Sequence, residues 1–387
     1  YQDYSVHISR NSSEIINGII RKTDLVVGGI IGPVLILTSS VILIIGVVGA
    51  LFTINPLVAL ATIFGFGIVY LGVMFFTRIP LKRNSKSIAS DSNLMVKSLQ
   101  EGLGGIRDVI IDGSQEFYCN IYQSADLPYR RALASNSLIG ENPRNIVEGL
   151  GMTIIVLLAY TMTQNSNTIE SIIPILGAFA LGAQRLLPAM QQAYRSYSAM
   201  QGSLVSFEEV LDLLDQPLPD SINMPRPKPI SFNKEIQLIN LSFRYSKGTP
   251  LVLANVNLKI AKGSRVGFIG TTGSGKSTLL DIIMGMLNPT EGFLAIDGKA
   301  ISVENNRSWQ EHISHVPQHI YLSDDTIESN IAFGVKSENV DLELVRLAAK
   351  KAQISELIEG WKDKYQTNVG ERGIRLSGGQ RQRIGIA

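Results

Sequence analysis

The sequence predicts a multi-domain membrane protein, in which an all-α transmembrane domain precedes an α/β domain. The first observation behind this fold class is a run of 50 residues, Gly28 to Thr77, that contains no charged side chain. The second is a change of pattern beyond residue 230, where short apolar strands alternate with helical segments. The third is a glycine-rich stretch, Gly270 to Thr278, around which the second domain is organised.

Composition narrows the class of protein further. Of the 387 residues, 45% are hydrophobic and only 18% are charged, which is a low charge content for a soluble protein. A net charge of +2 gives no reason to expect a nucleic-acid partner. The single cysteine, Cys119, excludes an internal disulfide framework and a cysteine-based zinc site.

Two hydrophobic pairs predict four membrane spans. One span needs ~20 apolar residues, so the uncharged run is long enough for two, joined at the turn-like break from Thr53 to Pro56. A buried helical hairpin in a soluble core is the alternative, but the uncharged run is too long for it. The second pair lies within residues 149–184, whose only charge is Glu170, beside the polar turn 163–168.

Basic residues flank both pairs, and the positive-inside rule therefore places the outer ends of both pairs in the cytoplasm. The residues concerned are Arg21, Lys22, Arg78, Lys82, Arg83, Arg144 and Arg195. Between the pairs, long helices are expected to run out and turn back near residues 101–109, where glycines interrupt the helical pattern. Near the beginning, Asn11 to Glu14 has the sequence of a helix N-terminus.

Arg185 lies near the inner end of the predicted fourth span. An ionisable side chain at that depth usually faces a water-filled cavity or a partner. It can also extend along the helix to reach the cytoplasmic headgroups. The sequence leaves both interpretations open.

Shifts in composition divide the chain into three parts. The transmembrane domain is expected to cover residues 1–200. A linker is expected over residues 201–230, first as an amphipathic helix through Phe207 and Leu211 and then as a proline-rich, extended stretch, and the α/β domain is expected over residues 231–387.

The glycine-rich stretch matches the phosphate-binding loop G-x-x-x-x-G-K-[ST] of P-loop NTPases. It is predicted to follow an apolar strand at residues 266–269 and to precede an apolar helix at residues 279–284, as such a loop must. Its glycines allow successive backbone N–H groups to converge on anionic oxygens. Lys276 can reach the β- and γ-phosphates of a nucleotide, and the Ser277 hydroxyl can bind Mg²⁺.

A second anion-binding pattern lies near the end of the sequence. Ser377, Gly378 and Gly379 offer a hydroxyl and two backbone N–H groups at a predicted helix start, within the pentapeptide Leu376 to Gln380. This pentapeptide resembles the signature sequence of ATP-binding cassette (ABC) proteins. The order of a membrane domain and then an ATPase domain resembles that of the exporters in this family.

The resemblance implies a partner. In the family, the signature of one subunit caps the ATP held by the other, so that two domains close head to tail over two nucleotides. A second half-transporter is therefore expected, either an identical chain in a homodimer or a similar one. The implied fold is an ABC exporter with four of the six usual helices, followed by a truncated α/β P-loop NTPase domain.

Other positions agree with the resemblance. Tyr245 matches the aromatic residue that stacks on adenine, and Gln318 matches the glutamine that approaches Mg²⁺ and the attacking water. Lys276 and Gln318 are thus expected to be catalytic, and Ser277 and Gln318 to contact Mg²⁺. The set expected to contact ATP is Tyr245, Gly270, Thr271, Thr272, Gly273, Ser274, Gly275, Lys276, Ser277, Thr278, Gln318, Ser377, Gly378, Gly379 and Gln380.

The resemblance also implies roles for two short helical segments and shows which elements of the family the sequence lacks. Residues 11–17 and 100–108 are expected to be coupling helices, which dock on nucleotide-binding domains and bind no ligand. The family has two earlier spans, and after the signature it has an Mg²⁺-coordinating Asp, a catalytic Glu and a switch His. We therefore expect the sequence to be an internal part of a longer protein, and the 387 residues alone to bind ATP poorly and hydrolyse almost none.

The function that the resemblance implies is ATP-driven export or flipping of a substrate by a half-size exporter. It would lie in the bacterial inner membrane, in contact with membrane lipid, with the nucleotide domain in the cytoplasm. Residues 100–113 look like the lipid-linked oligosaccharide flippase branch, while an exporter of another lipid, a peptide or a drug stays open. A non-hydrolysing regulatory or gated-pore subunit is the alternative, and the intact Lys276, Gln318 and signature argue against it.

Overall fold

The chain folds as two units, Tyr1–Asn223 and Met224–Ala387. The computed structural model describes residues 2–54, 56–165, 169–216, 218 and 227–387. Most of the proline-rich stretch of the predicted linker therefore lies outside the described residues, as do Asn55 and the centre of the polar turn at 166–168.

The described residues of the first unit are helical apart from short turns. Two π-helical turns, Gly18–Lys22 and Val27–Ile31, interrupt its first long helical segment. The α-helices are α1 (Tyr4–Ser9), α2 (Ser12–Asn17), α3 (Thr23–Val26), α4 (Gly32–Ile54), α5 (Pro56–Gly104), α6 (Ile106–Ile111), α7 (Gln115–Glu141), α8 (Pro143–Asn165) and α9 (Ile169–Leu214).

The first hydrophobic pair has the properties of membrane helices. Two stretches, Ser12–Ile54 and Ile63–Gly104, are long and apolar enough to cross a membrane, and only 11% of the most apolar window of each is buried. A helical hairpin in a soluble core would bury most of that surface, so this exposure argues against the soluble alternative. The break predicted between Thr53 and Pro56 includes Asn55, which lies outside the described residues; on either side of it, α4 ends at Ile54 and α5 begins at Pro56. Helices α8 and α9 occupy the positions of the other two predicted spans.

The turns before α2 and after α5 follow the capping and glycine signals closely. Helix α2 begins after Asn11, whose side-chain oxygen accepts a hydrogen bond of 3.0 Å from the backbone N–H of Ser13. The short second helix is α6, over Ile106–Ile111, and not the predicted 100–108, because residues up to Gly104 continue α5. Gly105, with φ −100° and ψ 20°, is where the helix breaks.

The last part of α9 packs closely against the beginning of the chain. A Cβ atom on Gly18 would lie 2.5 Å from Leu213, so only glycine allows the two segments to approach this closely. The buried ammonium of Lys22 forms an ion pair with Glu209. Because α9 continues to Leu214, the first residues of the predicted linker 201–230 belong to this helix.

We expect the Glu209→Gln substitution to destabilise the first unit. It leaves the Lys22 ammonium, which is 5% exposed, without its counter-charge. Breaking a buried ion pair in this way costs about 3 kcal/mol when one partner is partly exposed, as Glu209 is at 37%. Thermal unfolding of the full-length protein in detergent measures the effect. The control is Glu208→Gln, which changes an exposed neighbour, and equal melting temperatures for the two variants would refute the role of the pair.

The second unit contains an antiparallel sheet. Its strands are β1 (Glu235–Phe243), β2 (Leu253–Ala261), β3 (Glu291–Ile296) and β4 (Lys299–Ala300), in the order β2-β1-β3-β4. One face packs on helix α10 (Lys276–Ile283) in a core that includes Leu241 and Ile282. The indole N–H of Trp309, which is 2% exposed, donates a hydrogen bond of 2.7 Å to the carbonyl of Ile283 and so closes this core.

One end of the sheet is held by a single carboxylate. Asp297 follows β3 and accepts hydrogen bonds of 2.8 Å from the backbone N–H groups of Lys234 and Glu235, and another from Asn233. These hydrogen bonds lower the pKa of Asp297, and the one from Asn233 contributes most to this shift. The carboxylate is therefore ionised over the physiological range and fixes the start of β1 against the turn between β3 and β4.

The predicted strand at residues 266–269 is absent, although the prediction of the loop and the helix after it is confirmed. A β-strand needs a neighbouring strand with which to exchange hydrogen bonds, and no described strand pairs with this segment. Ile269 is 99% exposed and Val266 is 48% exposed. Only Phe268 packs against the core around the sheet.

A second, helical core fills the rest of this unit. It surrounds Ile327, Ile354 and Ile358, which are all almost completely buried. The helices around it are α12 (Ile327–Ile331), α13 (Leu342–Lys351), α14 (Ser355–Glu359) and α15 (Gly378–Ile386), while α11 (Asn306–Gln310) belongs to the sheet side. The two sequence patterns that bind anions thus begin helices in different cores, α10 in the first and α15 in the second.

Candidate phosphate-binding site

The glycine-rich stretch forms a loop that ends at the first residue of α10. Gly273 and Gly275 have φ angles of 84° and 85°, in the left-handed region that favours glycine. Gly275 is the N-cap of α10, and the helix begins at Lys276. The glycines of the motif therefore bend the chain so that the start of the helix points into the loop.

Gly275 also has no room for a side chain. A Cβ atom at this position would lie 2.9 Å from Leu253 Cδ2 and 3.1 Å from the carbonyl oxygen of Val252. The loop is thus packed against the start of β2 as well as being bent. Both the backbone angle and this contact require glycine.

Lys276 lies across the loop. Its ammonium donates hydrogen bonds of 2.9 Å to the carbonyl of Gly270 and 2.8 Å to that of Thr271. Among the described residues, the backbone N–H groups of Gly273 and Gly275 donate to no protein acceptor. An anionic oxygen in the loop would meet these N–H groups and the ammonium together, and charge-assisted hydrogen bonds are stronger than those to carbonyls.

Tyr245 lies beside the same helix. Its hydroxyl and that of Thr278 are 3.0 Å apart and share a hydrogen bond, and its ring contacts Phe243 edge to face at 5.0 Å. The side chain is 53% exposed, so part of its ring is available to another planar group. The residue expected to stack on adenine is thereby fixed to the helix that follows the loop.

The signature pentapeptide forms the N-terminus of α15 as a capping box. Ser377 Oγ accepts a hydrogen bond from the Gln380 backbone N–H at 3.3 Å, and Gln380 Oε1 accepts one from the Ser377 backbone N–H at 2.8 Å. Two of the helix's first N–H groups are satisfied in this way. Those of Gly378 and Gly379 donate to no acceptor in the part of the chain that is described, and both residues are exposed. The Ser377 hydroxyl proton also stays free to be donated.

Gln318 lies near the signature. It lines a cavity with Arg372, Gly378 and Arg381, among other residues. No hydrogen bond joins Gln318 or Ser377 to the loop 270–278 within the described ranges. Of the predicted site residues, Tyr245 therefore lies beside the helix that follows the loop, and Gln318 lies beside the signature.

Two features of the site were missed by the sequence reasoning. The capping role of Gln380 follows from the spacing S-x-x-Q, which is itself a capping-box signal and could have been recognised. The two arginines beside Gly378 add positive charge next to the free N–H groups. Arg372 reaches this position through a left-handed backbone conformation with φ 53°, which no local sequence pattern indicates.

We expect Gly275→Ala to weaken nucleotide binding by the full-length protein at least about tenfold. A left-handed conformation costs an L-residue roughly 1–2 kcal/mol, and 1.4 kcal/mol corresponds to a factor of ten in affinity. The contacts with Leu253 and Val252 add to this cost. Titration calorimetry with ATP measures the dissociation constant. Gly267→Ala is the control, because a Cβ there meets nothing within 4 Å, and ATP affinities that agree between the two variants would contradict the assignment.

Comparisons with known proteins agree with the order of the two units. Residues 1–181 match the family described as ABC transporter transmembrane region, and residues 253–387 match the family described as ABC transporter. The fold is similar to a solved structure described as a bacterial Atm1-family ABC exporter with ATP bound. That match has a TM-score of 0.82 and 22% sequence identity, and it covers 98% of this chain and 66% of the other.

Similar curated proteins include two described as ATP-dependent lipid A-core flippases. The one from Cupriavidus metallidurans is 26% identical over 79% of this chain and 52% of its own length, and the one from Saccharophagus degradans is 27% identical over 100% and 64%. A putative multidrug export ATP-binding/permease protein, YgaD of Bacillus subtilis, is 28% identical over 97% and 63%. The chain thus spans between about half and two thirds of the length of these relatives.

Proposed function

Because the chain belongs to the ABC transporter family, with the membrane region and the ATP-binding region of an exporter in one polypeptide, we propose that the full-length protein couples ATP hydrolysis to export. The observation that carries this proposal is the pair of anion-binding helix starts, α10 and α15, in a chain that also contains exposed apolar helices. The first binds the nucleotide phosphates, and the second binds those held by a partner.

Each residue of the loop has a task in this proposal. The N–H groups from Gly273 onward and the start of α10 surround the β-phosphate. The Lys276 ammonium gives up its hydrogen bonds to the two loop carbonyls and donates to β- and γ-phosphate oxygens instead. Tyr245 positions the adenine from its place beside Thr278. These groups bind and orient the triphosphate, and positioning with electrostatic stabilisation supplies most of the catalysis in phosphoryl transfer.

The residues at the loop fit a magnesium ion. The Ser277 hydroxyl lies in the first turn of α10 and Gln318 offers an amide oxygen, and oxygen ligands of this kind suit Mg²⁺. When bound, Mg²⁺ neutralises charge on the phosphates. Gln318 lines a cavity with Gly378 in this chain, and in this proposal its amide oxygen would contact the ion once nucleotide is bound.

The partner in this proposal is a second half-transporter, most simply another copy of the same chain. Ser377, Gly378 and Gly379 present donors that no described group of their own chain uses. The γ-phosphate of ATP bound to the partner's loop supplies the matching acceptors. Residues 11–17 and 106–111 then transmit the closure as coupling helices.

We propose a lipid with an anionic headgroup as the substrate. The names of two relatives point to a lipid flippase, and the name of a third points to drug export. Arg185 is exposed on α9 between the buried Ala183 and Leu186, so its side chain leaves the packed face of that helix. A guanidinium in this position suits a phosphate or pyrophosphate group, as a lipid-linked oligosaccharide would carry. The bacterial inner membrane, with the second unit in the cytoplasm, is the corresponding location.

The test is ATP hydrolysis and transport by the full-length protein in proteoliposomes. We expect Lys276→Ala to lower hydrolysis at least about 100-fold, because it removes a charged donor from the transferring phosphate, and to abolish ATP-dependent movement of lipid. Lys350→Ala, at a surface position of α13, is the control. Stimulation is compared among a lipid-linked saccharide, a phospholipid and a drug, with Arg185→Ala alongside.

Two outcomes would contradict the proposal, and a third would change only the substrate site. Lipid movement that needs ATP but proceeds at the same rate with a non-hydrolysable ATP analogue would indicate a regulatory subunit. Solute flow that continues for as long as ATP is present, without hydrolysis, would indicate a gated pore. Equal stimulation of the parent and Arg185→Ala would remove Arg185 from the substrate site while leaving the ATPase assignment intact.

A further inference from the structure

One exposed face of α5 combines large apolar and basic side chains. Phe75, Phe76 and Ile79 are 77%, 78% and 77% exposed, which is unusual for side chains of this size. The basic residues that line the same surface recess are Arg78, Lys82, Arg83 and Lys86. We call these seven residues the α5 stripe. No carboxylate occurs between residues 75 and 86.

The opposite face of α5 is buried, and this fixes which side chains point outward. Leu81 and Ser85 are 0% and 1% exposed. Ser85 Oγ accepts a hydrogen bond of 3.1 Å from the backbone N–H of Val205 on α9. The amide of Asn84 donates to Ser135 Oγ at 2.9 Å and to Asn136 Oδ1 at 2.8 Å, both on α7. Two neighbouring helices therefore hold α5 in one rotation, and the stripe cannot turn inward.

The depth of the stripe follows from the sequence. The uncharged run ends at Thr77, so Phe75 and Phe76 belong to its last turn and Arg78 is the first charge after it. The helix rises about 12 Å over the eight residues from Arg78 to Lys86. The headgroup layer on one side of a bilayer is roughly 5–8 Å thick, so the basic residues cross the layer in which lipid phosphates lie.

Ion pairs among the described residues do not neutralise the four basic side chains. None of them forms an ion pair with another residue in the described part of the chain. By contrast, Lys97 further along α5 lies 3.9 Å from Glu101. The stripe thus presents up to four uncompensated positive charges next to three exposed apolar side chains on the same helix.

We propose that the α5 stripe is a binding site for an anionic phospholipid of the cytoplasmic leaflet. The lipid phosphate lies among Arg78, Lys82, Arg83 and Lys86, and its acyl chains lie against Phe75, Phe76 and Ile79. Clustered basic residues at the cytoplasmic end of a membrane helix attract anionic lipids, and the apolar side chains select a lipid over a soluble anion. This site is separate from the transport substrate and from the nucleotide, so it does not rest on the proposed function.

The experiment measures retention of lipid by the full-length protein. The protein is placed in bilayer discs of phosphatidylcholine with 0% to roughly 30% phosphatidylglycerol, a range chosen so that clustered charge makes a measurable difference. Native mass spectrometry after mild release counts the phosphatidylglycerol molecules that stay bound. The test variant carries Lys82→Gln and Lys86→Gln. The control carries Lys97→Gln and Arg107→Gln, which removes the same charge from exposed cytoplasmic positions beyond the stripe.

We expect the test variant to need about fivefold more phosphatidylglycerol for half-maximal retention, and the control to match the parent. Unchanged thermal stability in pure phosphatidylcholine shows that the test variant is folded.

Equal retention of phosphatidylglycerol by all three proteins would overturn the proposal. An equal loss of retention in both variants would also overturn it, because it would mean that the lipid responds to general surface charge and not to the stripe. A changed oligomeric state with unchanged retention would mean that another protein surface covers the stripe. Displacement of the lipid by glycerol 3-phosphate would mean a site for soluble phosphate.

Discussion

The second unit depends on a simple property of α-helices, which is that their first backbone N–H groups have no partner within the helix. At α10, Gly275 bends the chain so that these groups face the glycine-rich loop. At α15, the capping box of Ser377 and Gln380 satisfies two of them and leaves those of Gly378 and Gly379 free. The two motifs thus present free N–H donors for the same physical reason, although their sequences share little beyond glycine and serine.

The first unit depends on a different constraint, because its uncharged run of 50 residues forms helices whose apolar surface is mostly left exposed by the described residues. Its polar groups serve instead to fix the helices against one another where they leave the apolar region. The Tyr194 hydroxyl donates to Thr77 at 3.2 Å, Asn84 bonds to α7, and Lys22 pairs with Glu209. These contacts lie near the ends of the uncharged segment, so the rotation of each helix is set at the membrane boundary and not within the lipid.

Features that depend on local sequence could be predicted, and features that depend on distant residues could not. The cap at Asn11, the turn after Gly104 and the helix after the loop all follow from a few neighbouring residues. The prediction of a strand at 266–269 was wrong because strand pairing requires a partner elsewhere in the chain. That the amphipathic helix predicted through Phe207 and Leu211 continues α9 without interruption depends on packing between helices, which the local composition does not show.

In the proposed dimer, the Ser377 hydroxyl and the free N–H groups of Gly378 and Gly379 in one subunit meet the phosphates held by the loop of another. Cross-linking tests this most directly. Cys119 and any other native cysteine are replaced by Ser, and two tagged copies are co-expressed, one with Ser274→Cys and one with Ser377→Cys. A short bifunctional thiol reagent should join the two copies when Mg²⁺ and ATP are present, and not when ATP is absent or the loop carries Lys276→Ala. Equal cross-linking with and without ATP, or none in either condition, would contradict the claim.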